Sequence, residues 1–279
     1  MAYNCLRYKD YQYKALKRPA TLPLSLENVK SFLKVTTSTQ DDLIKTLINS
    51  VANYAESFMS IELITKQFRT FRDNLYFPIE LRKSKLVQID SIKYLDTDKV
   101  LQTFADTNYY SDFNNFYSHI YLEDDANTMS IQLASRFDNV QIDFWAGFGV
   151  AIASLSGNGT LVTVTTSDNH YFATDDIVNI SYASNTGFNG NYKITVTGDK
   201  TFIYSNTTSA SETASNVFAS FIPNDLKLAM YNHINRVFMN RGDCEAGNKS
   251  ACDCSSQMNL PAETVQVYNM YKNIEIGID

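Results

Sequence analysis

The sequence predicts an α+β fold: a helical bundle with a small β-sheet, interrupted by an all-β module of sandwich or barrel type. Three observations predict it. A 3.6-residue apolar period runs through residues 24–58 and returns at 226–238. Short alternating runs suited to strands fill the interval between Ile64 and Trp145. At Ser154 the composition turns Ser/Thr-rich, with no cysteine and only Lys193 and Lys200 as bases through residue 220.

The chain opens with a basic arm in which Arg7, Lys9, Lys14, Lys17 and Arg18 stand against Asp10 alone, interleaved with Tyr3, Tyr8, Tyr11 and Tyr13. Such an arm can lie solvated, dock on an acidic protein surface, or stack on nucleic acid. A short helix is expected over Leu24–Val35, with Ser25 as its N-cap and Leu26, Val29, Phe32 and Leu33 on one stripe. A second helix is expected to start at a Thr39 cap. Asp42 lies in its first turn, and Leu43, Ile44, Leu47, Ile48, Val51, Ala55 and Phe58 repeat along one face. Strands are expected at Thr65–Phe71, Leu86–Tyr94, Tyr109–Tyr110, His119–Leu122 and Val140–Trp145, with turns at Asp96–Asp98 and Glu123–Asn127.

Five further strand-like runs follow the shift at Ser154: Leu161–Thr165, Ile177–Tyr182, Tyr192–Thr197, Thr201–Tyr204 and Val217–Ile222. Glycine turns punctuate them. Helical period then returns through Leu226, Ala229, Met230, His233, Ile234, Val237 and Phe238, and Gly242 stops it. A polar loop leads to a tail carrying Val265, Val267, Tyr268, Met270, Tyr271, Ile274, Ile276 and Ile278, too apolar to hang in water. A two-helix, few-strand unit needs the returning helix to cover its sheet. Residues 1–153 and 221–279 are therefore paired as one discontinuous core, with 154–220 inserted.

Composition excludes several functions. The 24 basic against 30 acidic residues give a net charge of −6, which is not that of a general nucleic-acid binder. The first twenty residues lack the apolar core of a secretory signal, and no run approaches the roughly 18 apolar residues of a membrane span. A reducing cytosol, with the cysteines as thiols, is the expectation. There is no phosphate-binding loop, and Gly147-Phe-Gly149 lacks the third glycine of a dinucleotide fingerprint. No zinc-protease, serine-hydrolase or calcium-loop signature is present either. His119, His170 and His233 each read as structural, so neither a catalytic residue nor a cofactor is expected. Cys244, Cys252 and Cys254 form a weak zinc candidate, because their spacing is not that of paired knuckles. A fourth ligand would have to come from Cys5, Asp243, Asp253 or a neighbour. Arg241-Gly-Asp243 coincides with the helix stop.

Several segments together resemble the head–tail connector (adaptor, or head-completion) proteins of tailed bacteriophages, the gp6-like and gp15-like group. They are Leu24–Val35, Asp41–Phe58, Ile61–Phe71, the strand end Asp143-Phe-Trp-Ala-Gly-Phe-Gly149, and the helix Ile222–Arg241 with its Pro-Asn-Asp-Leu-Lys-Leu-Ala start. In that family the strand end leads almost directly into the helix; here the β module separates them. The family's proline-rich turn is replaced by Glu80–Lys85, and the cysteine loop and long tail are extra. The module itself resembles small β domains of phage tail and fibre proteins, through Asn169–Ile180 and Phe188–Ile194.

The resemblance implies a structural virion protein, assembled in the host cytoplasm and sited at the neck. It implies a ring, typically of twelve copies, between portal and tail or stopper proteins, through which DNA passes without specific binding. No enzymatic activity, cofactor or membrane is implied. The partner-binding candidates are then the arm residues Tyr3, Arg7, Tyr8, Lys9, Tyr11, Tyr13, Lys14, Lys17 and Arg18, and the tail from Leu260 onward. The alternative is a tail- or fibre-associated β-domain binding module, an adhesin.

Overall fold

The computed structural model describes residues 13–83, 85–112, 118–123, 131–240 and 260–272. In chain order the elements begin with β1 (Tyr13–Lys17), α1 (Leu26–Leu33), α2 (Asp41–Met59), β2 (Lys66–Arg72), β3 (Ile79–Leu81) and β4 (Leu86–Leu95). Next come β5 (Leu101–Phe104), β6 (Tyr109–Asp112), β7 (Ser118–Leu122), β8 (Val140–Ala146), β9 (Gly149–Gly157), β10 (Leu161–Thr166) and β11 (Ile177–Ser181). The chain continues through β12 (Gly190–Gly198), β13 (Thr201–Ser205), β14 (Ser211–Thr213), β15 (Phe218–Ser220), α3 (Asn224–Met239) and α4 (Ala262–Tyr271).

The four helices of the described residues form one bundle. On α2 the buried positions Ile44, Ile48, Val51, Ala52, Ala55 and Met59 follow the helical period. They pack on Met230, Ile234 and Phe238 of α3 and on Tyr268 of α4. An ion pair between Lys30 and Asp41, 2.6 Å long, ties α1 to the start of α2. The expected caps differ in detail. Ser25 does precede α1, but its side chain makes no capping bond. Helix α2 begins after Gln40, not Thr39, whose hydroxyl is held by Thr37 at 3.0 Å. The carboxylates of Asp41 and Asp42 in the first turn favour the helix start instead. Val237 is 38 % exposed, on the outer side of the α3 stripe.

A five-stranded antiparallel sheet has the order β1-β2-β8-β4-β5. One face carries Phe68, Ile92, Ile142 and Phe144 into a core of its own. The returning helix does not cover this face, contrary to the sequence argument. Ile79, Leu81 and Ile120 of a second, three-stranded sheet, β3-β7-β6, share that core. The sheet therefore brings its own lid, and α3 is released to pack on helices.

Strands β10-β13-β12-β11-β15-β9 close into a six-stranded barrel through pairing of β9 with β10, and β14 adds to β9 beside β15. Val162, Val164, Val178, Ile180, Phe188 and Phe202 fill its interior, each 0 % exposed. A six-stranded barrel of this size is packed with side chains and leaves no lumen. The compositional shift at Ser154 falls inside β9. That strand is the longest apolar run of the region, and the barrel needs it to close.

Candidate interaction surfaces

Among the described residues the barrel meets the rest of the molecule at several places, including a 2.8 Å hydrogen bond from the Gln88 amide to Asn216 and three further contacts. The first is built around Thr65, whose backbone N–H donates to Ser220 Oγ at 3.2 Å and whose hydroxyl shares a 3.1 Å hydrogen bond with the same atom. Tyr182 Oη donates to the Thr65 carbonyl at 2.9 Å. Gly147 and Gly149 permit this approach. A Cβ on Gly147 would lie 2.7 Å from the Thr65 backbone at a φ of +145°, and one on Gly149 would overlap the Thr65 hydroxyl. Trp145 is fully buried beneath, 4.6 Å from Phe218 and 5.0 Å from Tyr182 between ring centres. The glycines of the strand end read in the sequence are thus required by close packing.

The second contact is made by the chain before α1. Thr21 donates to Asn179 at 3.0 Å, and the side-chain amides of Asn179 and Asn191 both donate to the Leu22 carbonyl. The third is Lys227 of α3, whose ammonium donates to the Ile177 carbonyl at 3.2 Å and lies 4.2 Å from the Phe221 ring centre. Burial pushes this lysine down to about 8. Nothing in the sequence marks Lys227, because its environment comes from a strand fifty residues upstream.

The described part of the basic arm is built into the sheet. Strand β1 pairs antiparallel with β2. The Tyr13 ring lies edge-on to Phe144 at 5.9 Å, and its hydroxyl accepts from the Arg82 N–H at 2.7 Å. The Lys17 ammonium sits 5.7 Å from the Trp145 ring. Tyr13, half-buried, thus packs on its own sheet, because strand alternation turns it toward the core. Lys14 and Arg18 are exposed.

Between β1 and α2 runs a cleft of about 580 Å³. Ala15, Ala52, Ile64 and Phe68 supply apolar walls, and Arg18, Asn49 and Asn53 supply polar ones. At one end Lys66 bridges Glu56 and Glu62 at 2.5 and 2.7 Å, and Lys83 reaches Glu62 at 2.6 Å. Burial and the neighbouring Glu62 charge raise the Glu56 carboxyl. Burial alone would raise Glu62 too, but Lys83 and Lys66 outweigh it and hold that carboxyl low. Burial opposes the Lys66 charge, yet the two glutamates lift its pKa. The four groups clamp α2, β2 and the segments beside them. No alternation or motif announces such a cluster, since its members meet only on folding.

The tail residues within the described chain form α4, which closes the bundle. Thr264 and Tyr268 are both 0 % exposed. The Thr264 hydroxyl donates to the Ala229 carbonyl at 3.4 Å, and Tyr271 Oη donates to the Asp225 carboxylate at 2.8 Å. Tyr268, expected to meet a partner, is a core residue of its own subunit. Val265, Val267 and Tyr271 are half-buried, the latter two against the bundle, and Met270 is 74 % exposed. The spacing Thr264–Tyr268–Tyr271 after Pro261 is the helical signal that was there to read. Among the other candidates, Tyr3, Arg7, Tyr8, Lys9, Tyr11, Cys244, Cys252, Cys254, Ile274, Ile276 and Ile278 lie outside the described residues.

The histidines hold structure. His170 accepts from the Phe172 N–H at 3.0 Å within a barrel loop, and His119 lies in β7 against Tyr121. His233 is buried in the bundle, where burial pushes its imidazole down to about 4. Among the described residues no three His, Cys, Asp or Glu side chains cluster as metal ligands would. At the end of the sheet remote from the barrel, Tyr76, Val100, Leu101 and Phe137 are all exposed. The loops bearing Tyr76 and Phe137 are joined by the Asp138 N–H donating to Asp73 at 2.9 Å.

Residues 23–121 match the family model described as phage gp6-like head–tail connector protein, which shows the resemblance read from the helical segments and the first strands. No curated protein matches the chain. Among solved structures, a chain in the neck of an empty GTA particle computed with C6 symmetry is similar, with a TM-score of 0.54 at 11 % identity. A chain in the virion of a native gene transfer agent particle gives 0.53 at 11 %, and one in the native GTA neck computed with C12 symmetry gives 0.51 at 10 %. Each match covers 95 % of this chain and 97 % of the other. At that identity the likeness is one of fold, and it extends across bundle, sheets and barrel alike.

Proposed function

We propose that this chain is a structural head–tail connector, one subunit of an adaptor ring seated at the neck of a phage-like virion between portal and tail or stopper proteins. The connector-family match over residues 23–121 carries the reading. The fold likeness to chains of GTA necks, over nearly the whole length, supports it. The geometry supports a coupling role. Its buried charges are clamps between elements, and four of its exposed apolar side chains, Tyr76, Val100, Leu101 and Phe137, gather at one end of the sheet where a neighbour can cover them.

In this reading the bundle and sheets form one body and the barrel is a module set into it. One apolar cluster joins Ile48 and Val51, before the barrel, to Met230 and Ile234 after it. We take the inserted module as beginning at β9, since its pairing with β15 and β10 closes the barrel. The ring requires no nucleophile or cofactor, and DNA passes through it without sequence readout.

Native mass spectrometry of the purified full-length chain, with electron microscopy of particles lacking it, tests the proposal. Closed rings and heads that fail to join tails are expected. Intact head–tail joints in particles without this chain would overturn it.

A further inference from the structure

We infer that the cleft between β1 and α2 receives the C-terminal residues 273–279 of a second copy of this chain. The inference rests on the ring reading and names one contact that links its subunits. The cleft offers a trough with apolar walls at Ala15, Ala52 and Phe68, a cationic edge at Arg18, and at one end Glu56 and Glu62 with their charges taken up by Lys66 and Lys83. The last seven residues match it in kind. Ile274, Ile276 and Ile278 alternate with Glu275, Gly277 and Asp279, so an extended chain presents isoleucines on one side and two carboxylates on the other.

The occupant comes from another copy because of where the described chain ends. The Lys272 ammonium lies 5.1 Å from the Phe58 ring, and Phe58 stacks with Tyr54 at 6.1 Å on the side of α2 turned toward α4. The helical period puts Asn49, Asn53 and Glu56, which line the cleft, on the opposite side of α2. Seven extended residues span about 24 Å. Most of that is used in passing around a helix about 10 Å across. A tail from an adjacent subunit approaches without the detour. A contact in which one surface of a subunit meets a different surface of the next is heterologous, and it closes into a ring when the rotation permits.

The test uses the full-length chain with a benzoyl-phenylalanine photocrosslinker at Ile276. Equal amounts of 14N- and 15N-labelled protein are mixed before irradiation. Mixed-isotope adducts mapping to residues 13–21 or 49–57 are expected. The adduct yield should fall at least tenfold with Asn53→Trp, which fills the trough from an exposed position, and severalfold with Arg18→Glu. Both variants should keep the parent's circular dichroism and melting temperature. Adducts confined to the same copy, or to any other surface, overturn the inference. Native mass spectrometry of the same sample separates the two levels: rings with adducts elsewhere defeat only this contact. Protein that stays monomeric, both alone and on portal-bearing particles, defeats the ring and the contact together.

Discussion

The imidazole of His233 and the phenol of Tyr268 meet at 3.4 Å across the α3–α4 interface, with exposures of 4 % and 0 %. Tyr54 closes the site edge-on, 5.3 Å from the imidazole. This pair makes the bundle sensitive to protons, because the site holds a neutral ring well and a charged one badly.

Acid should therefore loosen the bundle in a defined window. Burial depresses His233 from 6.5 to about 4 in the folded chain. Above pH 6.5 both folded and unfolded states carry a neutral ring, and the full stability is present. Between 6.5 and 4 the unfolded chain takes a proton that the folded chain refuses, so stability falls by about 1.4 kcal/mol per pH unit, to a total of about 3 kcal/mol. Urea denaturation of the parent and of His233→Leu across pH 7 to 4 checks this. The variant should lack that share of the slope.

Lys227 should behave in a complementary way at high pH. Its folded value of about 8 lies below the 10.5 of the unfolded chain, so the buried charge weakens the fold at pH 8 and below. Stability should rise as pH climbs from 8 to 10.5. Lys227→Met should stabilise by about 2 kcal/mol at pH 7, after allowing for the Ile177 carbonyl it leaves unpaired, and the gain should vanish by pH 10.5. Thermal melts at both pH values provide the measurement.

Substituting either glycine at the sheet–barrel seam should be costly. Gly147→Ala puts a Cβ into the Thr65 backbone at a backbone angle that favours glycine. A loss of about 3 kcal/mol is expected. Hydrogen exchange should show it first as deprotection of Thr65 and of the start of β9, and an unchanged melting curve would contradict the seam as described.

The tail should separate into two parts with different roles. Tyr268→Ala empties a site at the centre of the bundle and should destabilise the subunit by about 3–5 kcal/mol. A stop codon after Lys272 should leave the melting temperature unchanged and remove self-association. Deleting everything from Leu260 onward cannot isolate a docking role, because it also takes Thr264 and Tyr268 from the core.

What could be read in advance followed the strength of local pattern. Helices α2 and α3 were legible because each carries at least three turns of one apolar stripe, and β10, β11, β12, β13 and β15 because glycine turns bracket alternating runs. Strands β1, β3, β5 and β14 were not, and β9 was cut by the boundary read at Ser154. Three to five residues at a sheet edge, such as Tyr13-Lys-Ala-Leu-Lys17, hold too little alternation to stand out from an arm. The cover of the sheet was misassigned because Ile79, Leu81 and Ile120 come from strands of three and five residues, while α3 displays a long apolar face nearby. The Glu56–Lys66–Glu62–Lys83 cluster and the Lys227 contact were invisible for a different reason. Their meaning lies in which segments the fold brings together, and single residue types carry none of it.

The chain enters the barrel at Gly149 and leaves it at Ser220, and these two residues face each other as register partners of β9 and β15. The doorway is one strand-spacing wide, so a foreign domain spliced there needs only closely set termini to join the chain. It must also rebuild the seam that buries Trp145 and gives Thr65 and Lys227 their partners.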